Sequence, residues 1–561
     1  MWKQRIARRT GLVPVIDTPA LAIFVSPGTA WLPLVPAGAV IGKLYRLGSA
    51  TRVECPSGEP LETDGELLAE RYWGDYVAIS ADMDGASVST FRAPSGGLHA
   101  FRARADGVLF VASHVELFCD LDIIKPAIDW EFVAHHLAFS HLHGRATGIA
   151  GIEEILPGES AVETGAASER HVHWSPWSFT VPERRIEDFG EAARHVREVV
   201  GHAVTALVEP GVKVALELSG GLDSSIVAAA LAAAGRSAVG INLVTPGGDG
   251  DERGYARAVS ATTGIRLIEA EIDGEIDLAG VEPRIEARPG MLAMLRLADR
   301  SLGEIGRKEG VSAFVNGTGG DCVFCSLGSS APAADRLRAH GIGAGLVRTI
   351  RDVARVHDSN FWTVARMAAR RARPFRPAPT WPRNLRFLKQ ELLPPEPAVH
   401  HWLAAPRDTL DGSRAHVHAI LASYAHLDGY GRHAIAPSLF PLLAQPVVEA
   451  CLAIPTWLWV AGGRDRAVAR AAFLAELPAI VAERRSKGAM DAFCARIFDL
   501  NRTRLRPFLL DGLVANAGLL DRDAIAAYLA RPFANRDRDF YHLFPIIDTE
   551  LWARALLGCG R

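Results

Sequence analysis

Residues 212–225 constrain the chain more than any other segment. An apolar run, 212–218, ends in Ser219-Gly220-Gly221-Leu222-Asp223-Ser224-Ser225 and passes into a small-residue apolar stretch with helical character, 226–234. A strand, a glycine turn and a helix in that order build an anion cradle. Glycines let the backbone approach a phosphate, and the free N–H groups and positive dipole at a helix start favour negative charge. Asp223 would repel a phosphate unless a cation lay between them, so Mg²⁺ ligation is its expected role. The spacing lacks the Gly-Lys-Ser/Thr ending of a Walker loop and is not the dinucleotide fingerprint. The plain alternative is a turn and helix cap with no ligand; strand, glycines, hydroxyls and carboxylate in one register favour the anion site.

The surroundings of this loop predict two domains in 561 residues. From 186 onward, strands at 212–218, 238–245, 266–272 and 311–316 alternate with helices at 186–208, 226–234 and 252–262, a pattern that implies a parallel sheet covered on both faces. Beyond 330 the chain reads as mainly helical. Before about 175, short alternating runs at 76–80, 98–102 and 108–112 predict antiparallel strands, with one helix at 130–139 and a Trp/Pro/Ser linker at 174–182. The expected domains are therefore 1–182 and 186–561. A net charge of -3 gives no global basic field for nucleic acid. The first 25 residues are broken by Pro14, Asp17 and Pro19, unlike a signal peptide, and no run approaches the roughly 18 apolar residues of a membrane span. With seven scattered cysteines, an odd number, the expectation is a soluble, cytoplasmic protein with reduced thiols and neither nucleic-acid nor membrane partners.

Ser219 to Ser225 resembles the Ser-Gly-Gly-Leu-Asp-Ser-Ser loop of the asparagine synthetase family, in which ATP is split to AMP and pyrophosphate. Asp251-Glu252 with Tyr255-Ala256 is similar to the acidic pair opening that family's next helix. Asn316-Gly317-Thr318-Gly319-Gly320-Asp321 resembles its second glycine-rich loop. Gly463-Arg464-Asp465-Arg466 to Arg470 and Arg484-Arg485-Ser486-Lys487-Gly488 resemble its basic segments. The resemblance implies ATP and Mg²⁺ as cofactors. It places Ser219, Gly220, Gly221, Asp223, Ser224, Ser225, Gly317 and Gly319 around the nucleotide, Asp223 and Asp321 on the metal, and Lys487 and Arg466 as catalytic cations. It also implies an α/β synthetase domain of the adenine-nucleotide α-hydrolase (PP-loop) type. Before it would lie an α+β, Ntn-type sandwich like a class II glutamine amidotransferase, signalled by Trp73-Gly74-Asp75-Tyr76, Arg92-Ala93-Pro94-Ser95-Gly96 and Leu156-Pro157-Gly158.

Members of that family with an active glutaminase begin with a cysteine after methionine removal, whereas this chain begins Met1-Trp2-Lys3, so glutaminase chemistry is expected to be absent. Residues 445–466 look most like the lasso-peptide macrolactam cyclases. These join an Asp or Glu side chain of a precursor peptide to its N-terminal amine, which implies that peptide as substrate, with a leader peptidase and a leader-recognition protein as partners. The rival readings are an ammonia-dependent asparagine synthetase, a small-molecule amide ligase like β-lactam synthetase, and a non-catalytic scaffold. Thr318 stands where β-lactam synthetase has a tyrosine, and Cys322 where an acidic residue is usual. Three features are read as structural: the Cys322/Cys325 pair as packing, His135, His136, His141 and His143 as structural or surface residues, and the basic run Arg366 to Lys389 as a solvated face. The sharper reading of that run is a dock for an acidic peptide or its protease.

Overall fold

The computed structural model describes residues 2–54, 61, 64–165, 167–244, 251–272, 277–280, 285–290, 295–373, 381–485, 491–532 and 537–558. The N-terminal part is sheet-rich, as its alternating runs require. A six-stranded antiparallel sheet has the order Ala167–Val172, Glu159–Thr164, Ser87–Arg92, Tyr76–Ala81, Ala37–Gly42, Trp31–Leu34. A three-stranded sheet joins Val108–Ala112, Phe101–Ala105 and Glu153–Glu154. Tyr76, Val77 and Ala78 are consecutive and all buried, the mark of a central strand covered on both faces. The helix Trp130–Ala138 starts where Asp129 Oδ1 accepts from Phe132 N at 2.9 Å.

The C-terminal part is built on a five-stranded parallel sheet in the order Arg266–Glu271, Ala238–Val244, Val214–Glu217, Ala313–Val315, Ser438–Leu439. The central strand, Val214–Glu217, comes first in the chain, so the connections run outward from it in both directions. In such sheets ligands bind beyond the carboxyl ends of the strands, at the point where strand order reverses. The loop 218–221 lies at that point. Its helix runs Leu222–Ala233, starting four residues before the apolar run at 226 predicts: Gly221, with extended φ -71° and ψ 163°, is the cap, so Asp223, Ser224 and Ser225 occupy the first turn. The two-residue strand Ser438–Leu439 is too short to show in the sequence pattern.

Residues 174–182, read from the sequence as a linker, are packed. Trp174 and Trp177 are buried, and Trp174 Nε1 donates to Glu449 Oε1 at 2.7 Å, so the segment is a packed connection between the two parts. Gln445 Nε2 donates to Ala69 O at 3.0 Å, Tyr424 hydroxyl to Pro94 O at 3.1 Å, and Trp381 Nε1 to Ser140 O at 3.0 Å. A buried charge cluster joins the two parts, in which Glu154 accepts from Arg92 Nη1 at 2.6 Å, from Arg288 Nη2, and pairs with His99 Nδ1 at 2.6 Å. Desolvation alone would raise the Glu154 pKa, but the two guanidiniums hold it well below the usual carboxylate range. No helix among the described residues is long and apolar enough to cross a membrane.

Candidate active site

The phosphate loop is held by its own hydroxyls. Ser219 Oγ accepts from Gly221 N at 3.2 Å and lies 3.2 Å from Ser224 Oγ, while Ser225 Oγ donates to Gly221 O at 2.7 Å. Asn242 Nδ2, from the neighbouring strand, donates to Leu218 O at 2.8 Å and fixes the loop's entry. Gly220 has φ +72°, and a Cβ there would lie 2.5 Å from Tyr255 Cβ, so only glycine lets the loop pass the next helix, Arg253–Thr263.

The second glycine loop, Asn316 to Asp321, packs directly on the first. A Cβ on Gly317 would meet Ser224 N at 2.7 Å, and one on Gly320 would meet Asp223 Cγ at 2.4 Å. This contact brings Asp223 and Asp321 together. Arg466 Nη1 reaches Asp223 Oδ1 at 2.9 Å, Asp223 Oδ2 at 3.0 Å and Asp321 Oδ1 at 2.5 Å, and its Nε reaches Asp465 Oδ2 at 2.8 Å. Burial disfavours the charge of Arg466, but the three carboxylates outweigh it and hold its pKa above the ordinary value. Its backbone is left-handed, φ 53° and ψ 39°, a conformation that costs a non-glycine residue roughly 1–3 kcal/mol and clusters at functional sites. The two acids singled out in the sequence thus converge, and the cation between them is the guanidinium of a third predicted residue. Among the described residues no group of three or more His, Cys, Asp or Glu side chains could hold a metal ion.

Arg470 and Arg484, drawn from the same basic segments, divide the work differently. Arg470 is buried and donates to the carbonyls of Asp465, Ala482 and Arg484 at 2.8–2.9 Å, stapling two loops. Arg484 donates to Glu252 Oε1 at 2.6 Å and stacks 3.9 Å over the Tyr255 ring, which ties the acidic pair at 251–252 to the loop. Lys487 lies outside the described residues.

Several site residues escaped the sequence reading. Beneath the second glycine loop, Glu217 accepts from Asn316 Nδ2 at 3.1 Å and from Arg432 Nη2 at 2.5 Å, and the same guanidinium lies 4.3 Å over the Tyr430 ring. Tyr430 shares a hydrogen bond with the Thr318 side chain; burial, then Glu217, push its pKa up to about 12, so the hydroxyl stays protonated. A phenol therefore does stand at the second glycine loop, supplied from residue 430 rather than 318. The only signal was the Gly429/Gly431 turn around it.

One cavity of about 1150 Å³ is lined by Glu217, Ser219, Asp223, Asp321, Tyr430 and Arg466. One wall holds Leu218, Ile241, Leu243 and Ile272, apolar and beside the phosphate loop. The lining also includes His136, His141 and His143 of the N-terminal part, with His426. His136, His141 and His143, read from the sequence as structural or surface residues, line the same cavity as Asp223. His141 and His426 rings lie 5.0 Å apart, and His143 Nδ1 lies 3.0 Å from Arg288 Nη1. Desolvation keeps them neutral, lowering the pKa of His136 to about 3 and of His141 to about 4. His135 is absent from this wall. Cys325 is buried and free, and burial pushes its thiol pKa up, in keeping with a packing role; Cys322 is partly exposed at the cavity edge.

A search of curated proteins returns no match. A family model described as asparagine synthase matches residues 195–554, nearly two-thirds of the chain and the whole of the parallel sheet with both glycine loops. The matched range contains the glycine loop at the switch point, the second loop seated on it and the convergent carboxylates, and the chain belongs to the asparagine synthase family of ATP-dependent, AMP-forming carbon–nitrogen ligases.

Proposed function

We propose that this ligase is a macrolactam synthetase of the lasso-peptide type, joining an Asp or Glu side chain of a precursor core peptide to the peptide's N-terminal amine. The observation that carries this reading is the reach of the cavity. Its volume of about 1150 Å³ exceeds the roughly 300–1,000 Å³ of most small-molecule sites. It has room for a nucleotide against the apolar wall and for a peptide loop against the imidazole face, where ammonia would need far less.

In this reading the adenine lies on Leu218, Ile241 and Leu243, and the phosphates on the helix start at Leu222 and the hydroxyls of Ser219 and Ser224. Asp223 and Asp321, which share the Arg466 guanidinium here, would hold Mg²⁺ in its place, and the ion would neutralise phosphate charge. The peptide carboxylate attacks the α-phosphorus and the bond to pyrophosphate breaks. The amine then attacks the acyl carbon and gives up a proton as AMP leaves. Arg466 and, by family resemblance, Lys487 supply positive charge where the phosphates and tetrahedral carbon are most negative. The neutral histidine wall offers the amine end of the peptide a surface without like-charge repulsion. Holding both ends of one chain is much of the task, since well-oriented intramolecular reactions reach effective molarities of ~10⁵ M or more.

The N-terminal part, which resembles a class II glutamine amidotransferase, serves in this account as the far wall of the cavity, locked by the Glu154 cluster. A leader peptidase and a leader-recognition protein in the cytoplasm would deliver the trimmed peptide. The test is pyrophosphate release by the purified protein, with aspartate plus ammonia in one tube and leader-free precursor peptide in the other, followed by mass analysis. Peptide-dependent release with a product lighter by one water supports the reading. Release with aspartate and ammonia alone retires it in favour of a small-molecule synthetase.

A further inference from the structure

The helices Ala344–Val356 and Phe361–Arg371 form a hairpin whose inner face is apolar: Leu346, Ile350 and Val353 of the first and Val364 and Ala368 of the second pack on Ala333 and Ala334. The outer face is basic. Arg348, Arg351 and Arg355 follow one another at helical spacing along the first helix, and Trp362, Arg366 and Arg370 at i, i+4 and i+8 along the second. None of these arginines forms an ion pair among the described residues, unlike Arg386 farther along the basic run, which pairs with Asp539 at 2.6 Å. Nine arginines fall between 336 and 373 against two aspartates. Of those two, Asp352 is buried and held by the backbone of Gly462 and Gly463.

Two further observations separate this face from an ordinary solvated one. Trp362 is 78% exposed, and Ile342 at the start of the hairpin is 90% exposed, so the basic stripe carries large apolar anchors that solvation alone does not require. The stripe also ends at the cavity. Arg355 packs against Gly463, close to the strained Arg466, and Arg355 and Asp358 lie on the cavity wall with Arg466.

We propose that this hairpin is the docking surface for an acidic, extended peptide segment that carries an apolar side chain, and that it leads such a segment toward the cavity mouth. Arginine rows recognise carboxylates through paired, charge-assisted hydrogen bonds, and an indole beside them supplies apolar area at small entropic cost. The occupant is an acidic peptide rather than nucleic acid because the chain as a whole is slightly acidic, with net charge -3, and offers no wider basic field to a phosphate backbone. The inference rests on the reading that a peptide enters the cavity, and its test is independent of turnover.

The test is fluorescence anisotropy of the full chain, without ATP, using three probes of equal length. These are an end-blocked Asp/Glu-rich peptide with one Leu, the same peptide with Asn/Gln in place of the acids, and a short single-stranded oligonucleotide. The expected result is binding of the acidic peptide only, weakening with salt. In the triple variant Arg351→Glu, Arg366→Glu, Arg370→Glu that binding weakens about tenfold or more, and Trp362→Ser weakens it at all salt concentrations. Pyrophosphate release from any minimal substrate that the parent protein accepts stays unchanged in both variants, showing that they fold. Equal binding of the acidic peptide by parent and triple variant overturns the proposal, as does equal binding of the neutral peptide or preferred binding of the oligonucleotide. Failure of the macrolactam reading would appear in the mass analysis instead and would leave these affinities in place.

Discussion

Replacing Gly320 with alanine places a methyl carbon 2.4 Å from Asp223 Cγ and 2.5 Å from Asp223 Cβ, where ordinary contact begins at 3.4 Å. The carboxylate must therefore give way by about an ångström, the difference between 3.4 and 2.4 Å, because the new carbon is fixed to the backbone. Gly320 is buried in the short helix Gly320–Val323, so its own backbone has little room to retreat. A misplacement of about 1 Å at a reacting centre can cost about 10²-fold in rate, while overpacking costs about 1–3 kcal/mol of stability, which leaves a protein of this size folded. The assay is the initial rate of pyrophosphate release beside a thermal melt. Gly328→Ala, at an exposed glycine with no heavy atom within 4 Å of the added carbon, is the matched control and should be neutral in both. A Gly320→Ala protein with an intact melt and a rate within about threefold of the parent would refute the claim that Asp223 is held in place by the second glycine loop.

Three other outcomes are expected. Glu154→Gln leaves Arg92 and Arg288 buried without their carboxylate and should destabilise the fold by about 3–5 kcal/mol in urea unfolding; a loss under about 1 kcal/mol would show that the cluster does not hold the two parts together. Glu449, whose pKa burial raises to about 7, binds its proton more tightly folded than unfolded, so its contribution is complete below about pH 4.5 and is lost as pH rises through about 7. The melting-temperature difference between Glu449→Gln and the parent should accordingly grow in the variant's favour across that window, and a constant difference would contradict the assignment. Asp321→Asn should raise the Mg²⁺ concentration for half-maximal rate by about tenfold or more, since even outer-shell changes cost about 10–100-fold in metal affinity; an unchanged requirement would remove Asp321 from the metal.

Local pattern made the parallel sheet and both glycine loops legible. The predicted strands at 238–245 and 266–272 match Ala238–Val244 and Arg266–Glu271 closely: the first is a buried, nearly continuous apolar run, while the second, an edge strand with no buried residue, was marked by its place in the strand–helix alternation. What the sequence hid depends on distance along the chain. Arg466 meets Asp223 across 243 residues and Asp321 across 145, and no spacing rule announces that one guanidinium will neutralise both. The histidine wall was hidden for the same reason. His136 lies on a helix with the pattern of a core element, and only the packing of the two parts turns it toward the cavity. Trp174 and Trp177 read as linker because proline and serine surround them, yet Glu449, 275 residues from Trp174, makes the segment part of the core.

The measurement closest to the central claim uses precursor peptide whose side-chain carboxylate carries ¹⁸O, with ATP, Mg²⁺ and the purified protein, and reads the label in every product. The account predicts AMP with one ¹⁸O, unlabelled pyrophosphate, and a peptide lighter by one labelled water in equal amount, because the carboxylate oxygen that attacks the α-phosphorus leaves with AMP. Label in pyrophosphate or inorganic phosphate, or AMP formed without label while the peptide stays at its full mass, would contradict it.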